Sequence, residues 1–447
     1  MKQWKQWLTR TVLAATALGL AACNGSDGDN SDEAKPTAQI RVVHASPDAP
    51  NVDVYANGSR ALANVPYKAA SALLTVPAGN LPLRVTVAGT DTAVDSFTDA
   101  LPALEAGKIY TVFAAGRLAQ IAPLAIVEDN LAPAAGQLKL RVVHAAPSAG
   151  NVDIYLTAPD ADLATATPAL GNVAFRADSG VLPVAAGSYR VRITPAGSKT
   201  VAYDSGTLDL AAGADLVVAA VETENAVSPV SLLLLTRNAA APVSELKDAR
   251  ARVRAIHAIS DAPAVDVLAN GAALFSGVSY YAVSDYAAVP AAAYTVTVAT
   301  AAGGTEVISQ ALTLDRASSY SVFAIGLAAG SGPTAPRFLV AADNLSLPAT
   351  GSAKVRVVHA SPGAPNVDIY ANGNRVLANV PYPAASDYLE VPAGSYTFDV
   401  RPAGDAATVV QTLTATLEAN RIYTVVARGV VGSSGAAAFT LSPVVDR

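Results

Sequence analysis

The sequence predicts an all-β protein: a tandem array of four immunoglobulin-like β-sandwich domains, Greek-key or transthyretin-like, behind a signal peptide and a flexible tether. Two observations lead to this fold class. One long string recurs four times along the 447 residues. Its spacing of about 100 residues is that of a whole domain rather than a solenoid repeat. Short runs rich in Val and Ala, separated by Gly and Pro, favour many short strands joined by turns. The predicted domains are 38–136, 137–246, 247–350 and 351–447.

The recurring string marks the beginning of each domain. Its first copy reads Arg41-Val-Val-His44-Ala-Ser-Pro-Asp-Ala-Pro-Asn-Val-Asp53-Val-Tyr, and the other copies open at Arg141, Arg254 and Arg356. Later landmarks recur as well, including Val-Pro-Ala-Gly and Pro-Ala-Gly turns that follow alternating apolar segments. Turn signals at intervals of roughly 8 to 12 residues predict about seven strands per copy.

A spacing of Leu and Tyr predicts how one corner of the sandwich is built. In three copies a Leu stands six residues before a Tyr, with a turn between them: Leu104 and Tyr110, Leu314 and Tyr320, Leu417 and Tyr423. This spacing resembles the tyrosine corner of Greek-key sandwiches, in which the Tyr hydroxyl bonds to backbone a few residues upstream. The second copy has Leu210 and Leu216 at these positions, so its corner would form without the hydroxyl.

The His-Ala-Ser-Pro-Asp-Ala-Pro and Val-Asp-Val-Tyr strings resemble those of a bacterial extracytoplasmic family known only as domain of unknown function 4397. The resemblance covers the chain from Ile40 onward. The second copy departs through an insertion around 157–167, and the third has Ala-Ile in place of Val-Val and Leu268 in place of the Tyr. The resemblance implies a secreted or surface-anchored protein and assigns no catalytic residue.

Residues 1–22 have the order of a secretory lipoprotein signal peptide: basic residues, an apolar stretch, then small residues before a cysteine. The apolar stretch, about ten residues, is too short for a membrane-spanning helix. Leu20-Ala-Ala-Cys23 resembles the bacterial lipobox, which implies cleavage before Cys23 and attachment of acyl chains such as palmitate to that residue. Cys23 is the only cysteine, which excludes an intramolecular disulfide. Residues 23–37 are mostly small, polar and acidic, and predict a flexible tether.

The anchor and the charge of the chain define the predicted partners. Several acyl chains on one residue form a stable anchor, so a membrane is a predicted partner. In this class of lipoprotein an Asp after the cysteine tends to retain the protein at the inner membrane. The residue here is Asn24, which favours the outer membrane of a Gram-negative bacterium. A formal net charge of −6, with no basic stripe, argues against nucleic acid as a partner.

The chain's four histidines share one repeat position, and an aspartate follows each of them nine residues later: His44 and Asp53, His144 and Asp153, His257 and Asp266, His359 and Asp368. A His and an Asp are too few ligands for Zn²⁺, which takes three or four, and no nucleophile keeps a fixed spacing to them. We expect each ring to end the first strand and to bond to the Asp or to a turn carbonyl. These residues are therefore predicted structural markers, with no catalytic residue, metal or cofactor.

Two further groups of residues are candidate binding sites. Asp48, Asn51 and Asp53 suggest a Ca²⁺ loop, but other copies replace Asp48 and Asn51, and such strings are ordinary turn chemistry. Tyr67 and Tyr382 form a possible ligand surface, although such residues more often belong to a sandwich core. The sequence contains no glycine-rich phosphate loop, G-x-S-x-G elbow or metal-type Cys spacing, so we predict that the protein is not an enzyme.

Short junctions near Gly136, Leu246 and Thr350 predict a semi-rigid string of separate domains. Together these features predict a non-enzymatic, lipid-anchored cell-envelope protein that presents its domains to an unknown envelope partner in a structural or adhesion-like role. A glycan- or peptidoglycan-binding lipoprotein is the alternative. A hydrolase that uses the repeated His and Asp positions is a third hypothesis, which the missing nucleophile disfavours. Fold alone does not decide between them.

Overall fold

The structure is a computed structural model that describes residues 35–93, 97, 101–223 and 227–447. Within these residues the chain is built from strands, with single 3₁₀ turns at Leu118–Gln120, Gly332–Thr334 and Gly435–Ala437. The predicted signal peptide, Cys23 and most of the tether lie outside the described residues. In the part of the chain that is described, no helix has the length and apolar character needed to cross a membrane.

The strands follow the four repeats of the sequence. The first repeat contains β1 Thr37–Ala45, β2 Val52–Ala56, β3 Ser59–Val65, β4 Leu74–Pro77, β5 Leu83–Val87, β6 Lys108–Ala115 and β7 Ala122–Asp129. The second contains β8 Gln137–His144, β9 Val152–Thr157, β10 Leu170–Val173, β11 Asp178–Ala185, β12 Gly187–Pro195, β13 Tyr203–Leu210, β14 Asp215–Glu222, β15 Val230–Leu235 and β16 Val243–Leu246. The third contains β17 Arg250–His257, β18 Val265–Ala269, β19 Ala272–Val278, β20 Ala287–Pro290, β21 Ala293–Thr300, β22 Glu306–Thr313, β23 Ser319–Ile325 and β24 Arg337–Ala342. The fourth contains β25 Ser352–His359, β26 Val367–Ala371, β27 Asn374–Val380, β28 Ala384–Ala385, β29 Leu389–Pro392, β30 Gly394–Pro402, β31 Gln411–Leu417, β32 Ile422–Arg428 and β33 Thr440–Val445.

Each repeat forms two sheets in one recurring order, shown most simply by the third repeat. One sheet, which we call the inner sheet, has the order β20-β17-β23-β24. The other, which we call the outer sheet, has the order β19-β18-β21-β22. Strands β17 and β23 run parallel, with Arg252 opposite Ser319 and His257 opposite Ala324. The first two strands of the repeat, β17 and β18, thus lie in different sheets. A constant-type immunoglobulin domain has its first two strands in the same sheet. The predicted all-β sandwich is confirmed, and the strand order fits the transthyretin-like alternative.

The inner sheets are buried on both faces, as strand β1 illustrates. Successive side chains of a strand point to opposite sides of its sheet. Ile40 and Val42 pack inside the first repeat's own sandwich, whereas Val43 and Ala45 belong to a second apolar cluster on the other side. A strand covered on both faces needs apolar residues in succession, which accounts for the Val-Val pair of the recurring string.

The second cluster joins repeats into pairs. The described residues divide into two compact units: those up to Thr223 together with Ser228–Lys247, and Val227 together with Asp248–Arg447. In the first unit, Phe113 of the first repeat shares a buried cluster with Leu233 of the second. In the second unit, Phe323 of the third repeat shares one with Val426 of the fourth. The predicted string of separate domains is therefore wrong within each unit, because the outward faces of two inner sheets cover each other.

The predicted tyrosine corners are confirmed in the three copies that carry them. Each Tyr hydroxyl accepts the backbone N–H of the residue five positions upstream, at 2.8 Å for Tyr110, 3.2 Å for Tyr320 and 3.0 Å for Tyr423. The bond fastens the turn before the strand that carries the tyrosine, β6, β23 or β32, so this part of the inner sheet is fixed by contacts local in sequence.

Candidate functional site

The four histidines lie at the ends of the first inner strands and are at most 1% exposed. In every copy Nε2 lies 2.8–3.1 Å from a backbone carbonyl oxygen six residues later, that of Pro50, Gly150, Pro263 or Pro365. Each ring also packs edge-on against an aromatic ring, with centroids 5.8–6.2 Å apart: Tyr67, Phe175, Tyr280 and Tyr382. The imidazole thus ties the strand end to the turn that leads into the outer sheet.

The surroundings of the rings select their neutral form. A carbonyl oxygen can only accept, so Nε2 carries the hydrogen. In the first three copies Nδ1 accepts the backbone N–H of the residue two positions later, at 3.3 Å. Burial lowers the pKa of all four histidines, because desolvation disfavours the imidazolium. In these three copies, the ring has both nitrogens engaged by backbone.

The aspartates bind a different part of the repeat. One carboxylate oxygen accepts a backbone N–H at 2.7 Å in each copy, from Asn64, Asn172, Gly277 and Asn379 in chain order. These four residues have positive φ angles of 52–63°, a region that costs energy for most residues and favours Gly and Asn. The hydrogen bond from Asn172 lowers the pKa of Asp153. The aspartate therefore holds the irregular third strand against the second.

His359→Gln is expected to lower the midpoint of thermal unfolding near pH 7.5 and to weaken the loss of stability on acidification. The substitution removes the Pro365 contact, a bond of about 1 kcal/mol. Burial lowers the pKa of His359 in the folded state, so as pH falls below about 6.5 the unfolded state takes up its proton first and the folded state loses stability. Unfolding curves at about pH 7.5 and pH 5.5 measure both effects.

The matched control for His359→Gln is Val409→Gln, at a side chain that is 44% exposed in the same unit. It should change neither the midpoint of thermal unfolding near pH 7.5 nor the loss of stability on acidification. The bond from Asn379 lowers the pKa of the Asp368 carboxylate, and the ordinary value of an Asp already lies below this pH window, so Asp368 stays charged throughout. A stabilisation of the wild type by added metal that disappears in His359→Gln would contradict the structural role.

Tyr67 and Tyr382, the predicted possible ligand surface, lie half-buried beside the cores that paired repeats share. The Tyr67 hydroxyl donates to the backbone oxygen of Glu222 in the second repeat at 2.6 Å. In the second unit, the neighbouring Tyr281 hydroxyl donates to the Ser442 oxygen of the fourth repeat at 3.0 Å. These aromatic side chains thus contribute to the contact between repeats.

A buried set of charged residues crosses the shared core of the second unit. Arg254 of the third repeat pairs with Asp446 of the fourth, and Arg356 of the fourth pairs with Asp343 of the third. All four side chains are at most 4% exposed. We call these residues, with Tyr286 and Tyr388, the arginine–aspartate cluster. Each repeat thus extends one arginine to the aspartate that follows its partner's last inner strand.

The remaining donors and acceptors of this cluster are satisfied in a nearly symmetrical way. Tyr286 donates to Asp343 at 2.6 Å, and Tyr388 donates to Asp446 at 2.8 Å. The two guanidinium carbons lie 4.8 and 4.7 Å from the same two phenol rings, within cation–π range. Burial raises the pKa of both tyrosines, which keeps their hydroxyls protonated as donors. Buried charges are tolerated when they are paired and hydrogen-bonded in this manner.

The first unit uses its repeated arginines differently. Arg41 donates to Thr111 Oγ1 at 2.7 Å and crosses to the backbone oxygen of Thr236 at 2.9 Å. Burial lowers its pKa to about 10. Arg141 donates to Asp178 at 2.9 Å and crosses to the backbone oxygen of Val127 in the first repeat at 2.6 Å. Glu128 stands at the position in the first repeat that Asp343 has in the third, because each follows the residue that lies opposite the corner tyrosine, Tyr110 or Tyr320. Burial raises the pKa of Glu128. The crossing arginine is thus common to both units, and the symmetrical pairing with aspartate belongs to the second.

The arginine–aspartate cluster is the set of buried polar residues that sequence reasoning missed. Its signal is present in the sequence, because an Arg stands at the same place between two apolar residues of the first strand in every copy. The carboxylate partners could not be found by spacing, since Arg254 and Asp446 are 192 residues apart.

Fold and sites together define a protein of tandem, paired β-sandwiches whose repeated polar residues bind backbone or the neighbouring repeat. A family model described as "Domain of unknown function (DUF4397)" matches residues 38–155, 251–370 and 353–447. These matches cover more than half of the chain, which therefore belongs to this family.

No curated protein matches the chain. Among solved structures, "The Bacillus anthracis TIE protein" is similar at 11% identity, over 90% of this chain and 68% of that chain, with a TM-score of 0.16. A similarity of this size carries no argument about fold or function.

Proposed function

We propose that this protein is a non-enzymatic, lipid-anchored envelope protein that presents paired sandwich units from a flexible tether in a structural or adhesion-like role. The observation that carries the proposal is the use of the residues repeated in every copy. The histidines bind turn carbonyls, the aspartates bind bulged backbone, and the arginines bind across or beside the shared cores. What repeats is a set of fold-forming contacts, which suits a domain used for its shape and surface.

The glycan-binding alternative requires Tyr67 and Tyr382 to be available to a ligand. The Tyr67 hydroxyl bonds to Glu222, and the Tyr382 ring packs against His359 with centroids 5.8 Å apart. The Tyr67 hydroxyl and the Tyr382 ring are therefore each engaged inside their own unit, which favours the structural or adhesion-like role.

The anchor is tested by labelling cells with an alkyne analogue of palmitate. We expect the wild-type chain to incorporate label and Cys23→Ala to lose it, because the thiol that accepts the acyl chain is removed. Asn24→Asp is the matched control for sorting: it should keep the label and move the protein from outer-membrane to inner-membrane fractions. Incorporation that survives Cys23→Ala would contradict the anchor.

The interaction role is tested by crosslinking in intact cells. The anchored chain should give discrete crosslinked species with other envelope components, and Cys23→Ala should lose them because the units no longer stay at the membrane. An anchored chain that crosslinks to no envelope component would count against an adhesion-like role.

A further inference from the structure

The second repeat contains an apolar cavity between its inner and outer sheets. Its volume is about 60 Å³, against about 30 and 10 Å³ for two cavities in the core of the third repeat. The lining side chains are all aliphatic and come from both sheets, including Leu140, Ile154, Val191, Leu216 and Leu232. This feature is independent of the proposed anchor and envelope role.

The cavity lies beside two core positions: at one the second repeat differs from all the other repeats, and at the other it differs from the fourth repeat but carries a valine, as the third repeat does at Val296. Leu216 occupies the position at which the other copies have the tyrosine of the corner. Val191 occupies the position of Phe398 in the fourth repeat, where the ring is 5% exposed and belongs to the sandwich core. A smaller side chain at a core position leaves volume that the surrounding structure recovers only in part.

The cavity is also open to solvent. Leu216 and Val218 are only partly buried, whereas Tyr110 and Val112 at the same positions of the first repeat are 1% and 0% exposed. Ile193, at 1% exposed, lies deeper in the same lining. A small molecule can therefore reach an apolar interior that is closed in the first repeat.

We propose that this cavity binds the hydrocarbon end of a free amphiphile such as a fatty alcohol. The lining presents only apolar atoms, and a buried water needs two to four polar partners, so neither water nor a polar ligand is matched to it. At about 10–15 Å³ for each water-sized group, the volume admits about four methylene groups. The polar head of the ligand would remain at the open side.

The test is a calorimetric titration of the full chain carrying Cys23→Ala, which avoids detergent, with linear alcohols from 1-butanol to 1-octanol. Each methylene buried should increase affinity about fourfold, with a plateau once the cavity is filled. Methyl resonances of leucine and valine should shift in the second repeat and stay unchanged in the others.

Two variants fill the cavity with larger side chains: the Phe that the fourth copy has at the first position, and the Tyr that the other three copies have at the second. Val191→Phe and Leu216→Tyr should each weaken alcohol binding at least tenfold, and either suffices if the other fails to fold. Val181→Phe, at a side chain 42% exposed on strand β11, is the matched control and should bind as the wild type does. No saturable binding, unchanged affinity in the folded filling variants, or methyl shifts spread over all repeats would overturn the proposal.

Discussion

Asp343→Asn is expected to lower the free energy of unfolding of the second unit by about 3–5 kcal/mol. The substitution preserves the shape of the side chain and removes its charge, so Arg356, whose side chain is 1% exposed, is left as an uncompensated buried cation. It also removes the charged acceptor of the Tyr286 hydroxyl. For a unit of this size the unfolding midpoint should fall by roughly 6–20 °C. Calorimetry resolves this loss.

An exposed pair supplies the matched control. Arg84 and Asp91 lie 3.9 Å apart, with side chains 44% and 96% exposed, so Asp91→Asn should cost about 0–1 kcal/mol. The double variant Asp343→Leu with Arg356→Met should recover much of the stability, because a buried ion pair often exchanges for apolar residues at little cost. A loss below about 1 kcal/mol for Asp343→Asn would contradict a cluster closed to solvent.

Phe323→Ala is expected to cost about 3–5 kcal/mol as well. The ring is 1% exposed and belongs to the cluster shared by the third and fourth repeats, so its removal leaves a cavity between the two inner sheets. The loss should therefore appear in the stability of both repeats. Denaturant unfolding followed by intrinsic tyrosine fluorescence and by far-ultraviolet circular dichroism measures the total.

The control for Phe323→Ala is Val340→Ala, at a side chain of the adjacent strand that is 38% exposed. It should change stability by no more than about 0.5 kcal/mol. A Phe323→Ala protein as stable as this control would show that the shared core contributes little.

Features that depend on neighbouring residues were predictable from the sequence. The Leu104 and Tyr110 spacing predicts its corner because donor and acceptor lie five residues apart in the chain. The pairing of repeats was not predictable in this way. Val42 and Val43 are both apolar, but the sequence does not reveal that Val43 is covered by a second repeat rather than by its own sandwich.

The histidine position shows a similar division. From the sequence, the histidine ring could donate a hydrogen bond to either of two acceptors, the aspartate or a turn carbonyl. The structure places Nε2 of His44 at 3.1 Å from the Pro50 oxygen, while the Asp53 carboxylate accepts the N–H of Asn64. The choice depends on the irregular pairing of the third strand with the second. That irregularity has no periodic signature in the sequence.

Hydrogen exchange of the second unit is the most direct test of the claim that two repeats share one core. Amides in β17 and β23 of the third repeat, and in β25 and β32 of the fourth, should exchange with a common free energy of opening, because cooperative units open together. Phe323→Ala should lower that free energy equally in both repeats. The claim of a shared core would be contradicted if, in Phe323→Ala, β25 and β32 kept the protection of the wild type while β17 and β23 lost theirs.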